Sequence, residues 1–158
     1  MWHLLKQAGL WLVLPLVVLG VALARLQPGA WQAQHRQGNE HIAVYSYRQW
    51  QSAGVWLEAG DRVQIRASGQ WQYSPAVKPH GPEGGWIAPG YYPVPGALGG
   101  ALLGRIGENG APFFVGRRAT AYAEKAGMLF FRINDDLLGD NQGKLEITLE
   151  VQPAAKDE

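Results

Sequence analysis

From Lys144 to Val151 apolar and polar residues alternate: Leu145, Ile147, Leu149 and Val151 fall on one side, and Lys144, Glu146, Thr148 and Glu150 on the other. A period of two is that of a strand with one wet and one buried face. Asp61 to Ala67 repeats it, with Val63, Ile65 and Ala67 inward, and Glu58 to Asp61 supplies a turn in front of it. Further strands are predicted at Ile42–Tyr47, Gln70–Tyr73, Ala101–Ile106, Phe113–Val115, Ala119–Ala123 and Met128–Asn134, separated by Gly, Pro, Asn or Asp. No stretch of this region carries a helical period. Charged residues on one face of most strands favour antiparallel sheets, so the expected fold is all-β, a jelly-roll-like antiparallel β-sandwich, with a closed barrel as the alternative.

The N-terminus follows another pattern. An almost unbroken apolar run from Ala8 to Ala24 lies between Lys6 and Arg25. It is longer than most signal-peptide cores and shorter than the roughly 20 residues that span hydrocarbon comfortably. The flanking charges orient the N-terminal side to the cytoplasm. Arg25 and Gln27 suit the far interface of a membrane anchor, and Ala22-Leu23-Ala24 suits cleavage of a signal peptide. Either outcome exports the remainder. The expected organisation is an N-terminal hydrophobic helix acting as signal anchor or signal peptide over 1–26, a Gln-rich linker over 27–40, a folded domain over 41–152 and a polar tail over 153–158. The domain would face the periplasm or exterior of a bacterial inner membrane, or be released there after cleavage.

Composition narrows the function. The 158 residues include 21 Gly and 10 Pro, more than the usual share, and 17% are charged, with a formal net charge of +1. Lys and Arg are scattered, so there is no electrostatic footprint for nucleic acid. Without cysteine the chain has no disulfide, thiolate zinc site or cysteine nucleophile. No Gly-x-Ser-x-Gly elbow surrounds any serine, and His35, His41 and His80 are dispersed, which speaks against an enzyme.

Two segments concentrate candidate chemistry. Asn134 to Gly143 (NDDLLGDNQG) joins two strong strands and holds three of the five Asp residues. Its oxygen-bearing side chains suit a hard cation such as calcium, although the same residues also build ordinary turns. Ser74 to Gly100 is a long Pro- and Gly-rich stretch carrying Trp86, Tyr91 and Tyr92, aromatics that could stack on a sugar or plug the loop onto the sandwich.

The order strand, Asn134-Asp135, Gly139-Asp140-Asn141-Gln142-Gly143, strand resembles the galactose-binding LecA-type bacterial lectins. Gly60 to Gly69, Tyr73, Gly81-Pro82-Glu83-Gly84 and Gly99 to Gly107 occur in the order and approximate spacing of that family. The resemblance covers most of residues 42–151 and implies a galactose-binding-domain-like sandwich whose calcium ion bridges sugar hydroxyls. It implies calcium ligands from the side chains of Asp135, Asp140 and Asn141, with backbone oxygens of Tyr73 and of Leu137 or Leu138. Asp140 stands where those lectins have Asn, an exchange that keeps an oxygen ligand and adds negative charge. Trp86, Ile87, Ala88 and Pro89 replace the His and Gln of the sugar-contacting loop, so galactose specificity is not implied. The expected ligand is a carbohydrate held at Asp135, Asp140, Trp86, Tyr91 and Tyr92. The competing expectation is a non-catalytic interaction module with a protein partner in the cell envelope.

Overall fold

The structure is a computed structural model, and it describes residues 39–87 and 90–155. The expected hydrophobic helix over 1–26 and residues 27–38 of the expected 27–40 linker lie outside the described residues, and Asn39 and Glu40, the last two of that linker, belong to a strand instead. Among the described residues no helix is long and apolar enough to cross a membrane.

The described residues form ten strands: β1 (Asn39–Tyr45), β2 (Gln51–Leu57), β3 (Arg62–Gln72), β4 (Trp86–Ile87), β5 (Leu98–Gly99), β6 (Leu102–Ile106), β7 (Phe113–Phe114), β8 (Arg118–Tyr122), β9 (Gly127–Ile133) and β10 (Gln142–Gln152). Eight of them form two four-stranded antiparallel sheets, ordered β1-β10-β3-β8 and β2-β9-β6-β7. The first strand thus pairs with the last, and most connections cross from one sheet to the other, which is the winding of a jelly roll. The remaining pair, β4 and β5, makes a small hairpin of its own. The expected sandwich is what forms; with open edges on both sheets, the barrel alternative does not.

Alternation drives the packing. Val44 pairs with Leu145, Ile147 with Ala67 and Leu149 with Ile65, so their side chains share the inner face of the first sheet. Opposite them, Val55, Leu57, Leu102, Leu129, Phe131 and Ile133 line the second sheet, and both sets are buried in one cluster. Each fully buried side chain of this size contributes roughly 1.5–3 kcal/mol relative to exposure.

Two features depart from the sequence expectation. β3 runs unbroken from Arg62 to Gln72, where two separate strands were expected on either side of Ser68-Gly69. Gly69 stays in register opposite Leu145 at φ +99°, a conformation that only glycine adopts without strain, so the ladder continues through it. β2 was not expected. Its pairing with β9 shifts register between Ser52 and Trp56, around Gly54 at φ +71°, and its alternation places Ala53, Val55 and Leu57 inward.

Candidate functional site at the Asp135–Asn141 end of the sandwich

At one end of the sandwich β9 stops, β10 starts and β3 stops. The β3–β10 ladder closes at Gln72 opposite Gln142, so the next residue outward on each strand is Tyr73 on one side and Asn141 on the other. Between β9 and β10 the chain makes a short 3₁₀ turn, Leu138–Asp140, closed by Asn141 N–H donating to the Leu138 carbonyl at 3.3 Å. The Leu138 side chain is anchored in the core and Leu137 is exposed, which fixes the turn between a buried and a solvated residue.

The oxygens of this loop have unequal surroundings. Asp135 is 2% exposed and Asn141 5%. Asp135 Oδ2, Asp140 Oδ1 and Asn141 Oδ1 are each buried without a hydrogen-bond partner. A buried polar atom without a partner costs about 1–3 kcal/mol, and a carboxylate costs more. Three within seven consecutive positions therefore call for an explanation. Asp136 is exposed. Among the described residues no group of three His, Cys, Asp or Glu side chains is placed to hold a metal. The set here is different: two carboxylates and one amide, hard oxygen donors of the kind that suit calcium better than the nitrogen- and sulfur-rich sites of zinc.

Sequence reasoning missed what holds this loop in place. The Ser46 backbone carbonyl accepts from Asn141 Nδ2 at 3.1 Å, and Ser46 N–H and Oγ–H both donate to the Gly143 carbonyl. The 46–50 loop that presents Ser46 is clasped at its ends, because Gln51 bonds both the N–H and the carbonyl of Tyr45 at 2.9 Å. Arg132, at the end of β9, donates to the backbone carbonyl of Asp135 at 2.6 Å, to that of Ile133 and to the Gln49 side chain. Asn134 is fully buried and faces away from the oxygen-rich loop. Its side chain accepts from Val94 N–H at 3.0 Å and donates to the carbonyls of Val94 and Leu98 at 3.0 and 3.1 Å. It thereby ties the long aromatic loop to the residue preceding Asp135.

The three aromatics have different roles. The Trp86 ring stacks on Tyr73 with centroids 3.3 Å apart and meets His80 edge-on at 5.5 Å. It lies across Gly99 and Gly100, where any Cβ would collide with its indole. One face of Trp86 is therefore covered by the protein. Below it, Trp71 Nε1–H donates to the Gly100 carbonyl at 2.8 Å, and a Trp71–His80 bridge pins the start of the loop. Tyr91 is 71% exposed and packs edge-on against Tyr92 at 5.5 Å. Tyr92 stands beside the candidate cation site: burial, a hydrogen bond to the Asp135 carboxylate and the charges of Asp135 and Asp136 push its phenol well above the usual tyrosine range. Tyr92 thus adjoins Asp135, Tyr73 adjoins Asn141, and Trp86 stacks on Tyr73.

No protein-family model matches the chain, and no curated protein matches it. Among solved structures, the N-terminal domain of EclA, a PllA-like lectin, superposes with a TM-score of 0.57 at 21% identity, covering 71% of this chain and 95% of that one. Its sandwich and this one share the fold of the LecA-like lectins.

Proposed function

We propose that this chain is a non-catalytic, calcium-dependent carbohydrate-binding module, held outside the bacterial cytosol by its apolar N-terminal run. The observation that carries the reading is the trio of buried, unpartnered oxygens on Asp135, Asp140 and Asn141. In a LecA-like fold they fall on the residues that the resemblance assigns to calcium. Tyr73 and Leu138 would add backbone oxygens. A bound calcium ion supplies a positive centre for vicinal sugar hydroxyls, while the residues of this chain orient it: Ser46 turns the Asn141 amide, Arg132 fixes the Asp135 backbone, and Tyr92 holds one carboxylate. Tyr91 and Tyr92 offer the accessible aromatic surface against which the C–H face of a pyranose packs. The lectin description of EclA's N-terminal domain supports the same ligand class.

The test is thermal unfolding of the full chain with calcium or with chelator, followed by a glycan array under both conditions. A ligand bound by the native state alone stabilises it by linkage, about 2.7 kcal/mol at one hundred times Kd. The expected result is a calcium-dependent rise in the midpoint and calcium-dependent glycan binding, both lost in Asp135→Asn. An unchanged midpoint would remove calcium from the proposal. A blank array would move the reading to a protein partner in the envelope.

A further inference from the structure

The outer face of the second sheet holds two neighbouring arginines, of which Arg132 feels the charges of Asp135 and Asp136 while Arg105 has no ion pair among the described residues. Pairing of Arg105 with Phe130 and of Leu103 with Arg132 puts both arginines on that face as diagonal neighbours. The Arg105 guanidinium lies 4.5 Å from the Trp50 ring centre and 5.1 Å from that of Phe130, and Arg132 lies 5.6 Å from Trp50. Arg132 is 7% exposed, and its donors go to Ile133, Gln49 and Asp135. Among the described residues Arg105, which is partly exposed, donates to no protein acceptor, and its Nε is buried without a partner. Among the described residues neither arginine forms an ion pair. Burial lowers the Arg132 pKa; the Asp135 charge opposes this, the Arg105 charge adds to it, and Asp136 opposes it more weakly.

Asp135 and Asp136 act on Arg132, which leaves Arg105 beside a second cation with no carboxylate of its own, an unfavourable arrangement on a sheet surface. Arginine placed over aromatic rings is attracted by their faces, which accounts for the position of Arg105 but leaves its N–H donors unused. A guanidinium whose centre lies 4.5 and 5.1 Å from two ring centres keeps its planar fork of donors, and the group that matches such a fork is a planar carboxylate taken by two parallel hydrogen bonds. Trp50, itself partly exposed, adds apolar surface beside it.

We propose that Arg105, with Arg132 and Trp50, forms an anion subsite on the outer face of the second sheet that takes the carboxylate of an acidic sugar residue such as a uronate. The carboxylate is read from the arginines; the sugar that carries it rests on the carbohydrate reading above. The experiment is calorimetric titration of the full chain at low salt with sodium glucuronate, glucose and sodium acetate, with chelator present throughout so that the outcome is independent of calcium. Glucuronate is expected to bind where glucose does not, with affinity falling at least tenfold in Arg105→Gln and less in Arg105→Lys, and falling as salt is raised. Tighter binding of glucuronate than of acetate assigns the subsite to an acidic sugar; equal binding keeps the subsite and assigns it to the carboxylate alone. Near-ultraviolet circular dichroism of Arg105→Gln establishes that the sandwich is intact. Absence of glucuronate binding, or unchanged binding in a folded Arg105→Gln, overturns the proposal.

Discussion

Asn141 donates its side-chain N–H to the backbone carbonyl of Ser46 at 3.1 Å, and its Oδ1 is left buried with no partner of its own. A carbonyl can only accept, so the amide nitrogen must face Ser46 and the oxygen must face away. One half of this amide therefore serves the architecture and the other half is free for a ligand.

That division separates two substitutions. Asn141→Ala is expected to lower stability in chelator by about 1–2 kcal/mol, through loss of the bond to Ser46, and to abolish any gain on adding calcium. Ser46→Ala removes only the Oγ–H bond to Gly143 and keeps the carbonyl that orients Asn141, so it should cost about 1 kcal/mol while the calcium response persists. Chemical denaturation of both variants with and without calcium checks this.

Asn134 makes one bond to the Val94 N–H and further bonds to the carbonyls of Val94, Ala97 and Leu98 from a fully buried position. Asn134→Ala leaves those groups without their partner. We expect a loss of about 2–4 kcal/mol, with limited proteolysis cutting first in the loop that contains Tyr91 and Tyr92. A cut elsewhere in the sandwich would show that the loop has other anchors of equal strength.

Gly99 lies under the indole of Trp86, whose ring atoms occupy the space of a Cβ. Gly99→Ala should displace Trp86 from Tyr73 at a cost of about 1–3 kcal/mol. Tryptophan fluorescence in the folded state reports the displacement, and an unchanged spectrum would contradict the packing described.

The Tyr92 phenol is raised above the usual tyrosine value of 10.0 in the folded chain. Its neutral form is the one favoured by folding, so its contribution is fully present below pH 10.0 and is lost as the pH climbs from there toward the folded value. Wild type should therefore lose stability above pH 10 more steeply than Tyr92→Phe, and the two curves should converge. Denaturation midpoints across the alkaline range test this; parallel curves would mean that Tyr92 is not coupled to Asp135.

Strands with an intact period of two were readable from sequence because each residue reports its own face: β10 and the first half of β3 are cases. β2 keeps its period of two, with Ala53, Val55 and Leu57 inward, but its outward positions Ser52, Gly54 and Trp56 carry no charge that would mark a wet face. The break expected at Ser68-Gly69 read a glycine as a turn where it lets one strand pass close to its neighbour. At the candidate site, the oxygen-rich loop could be found from residue types alone. Ser46, Gln49 and Arg132 could not, since their bonds to the loop join elements far apart in the chain and leave no periodic trace. Asn134 belongs to the oxygen-rich segment by residue type, and only its buried bonds to Val94 and Leu98 show that it serves the aromatic loop.

The segment from Gly81 to Leu98 is fastened at both ends, by the Trp71–His80 bridge on one side and by Asn134 on the other. Side chains displayed between those fastenings, such as Tyr91, can be exchanged without altering any residue of the sandwich interior. Display can therefore be rewritten while the scaffold stays unchanged, and engineering of new ligand preferences should begin with positions 90, 91 and 93, leaving Tyr92 beside Asp135.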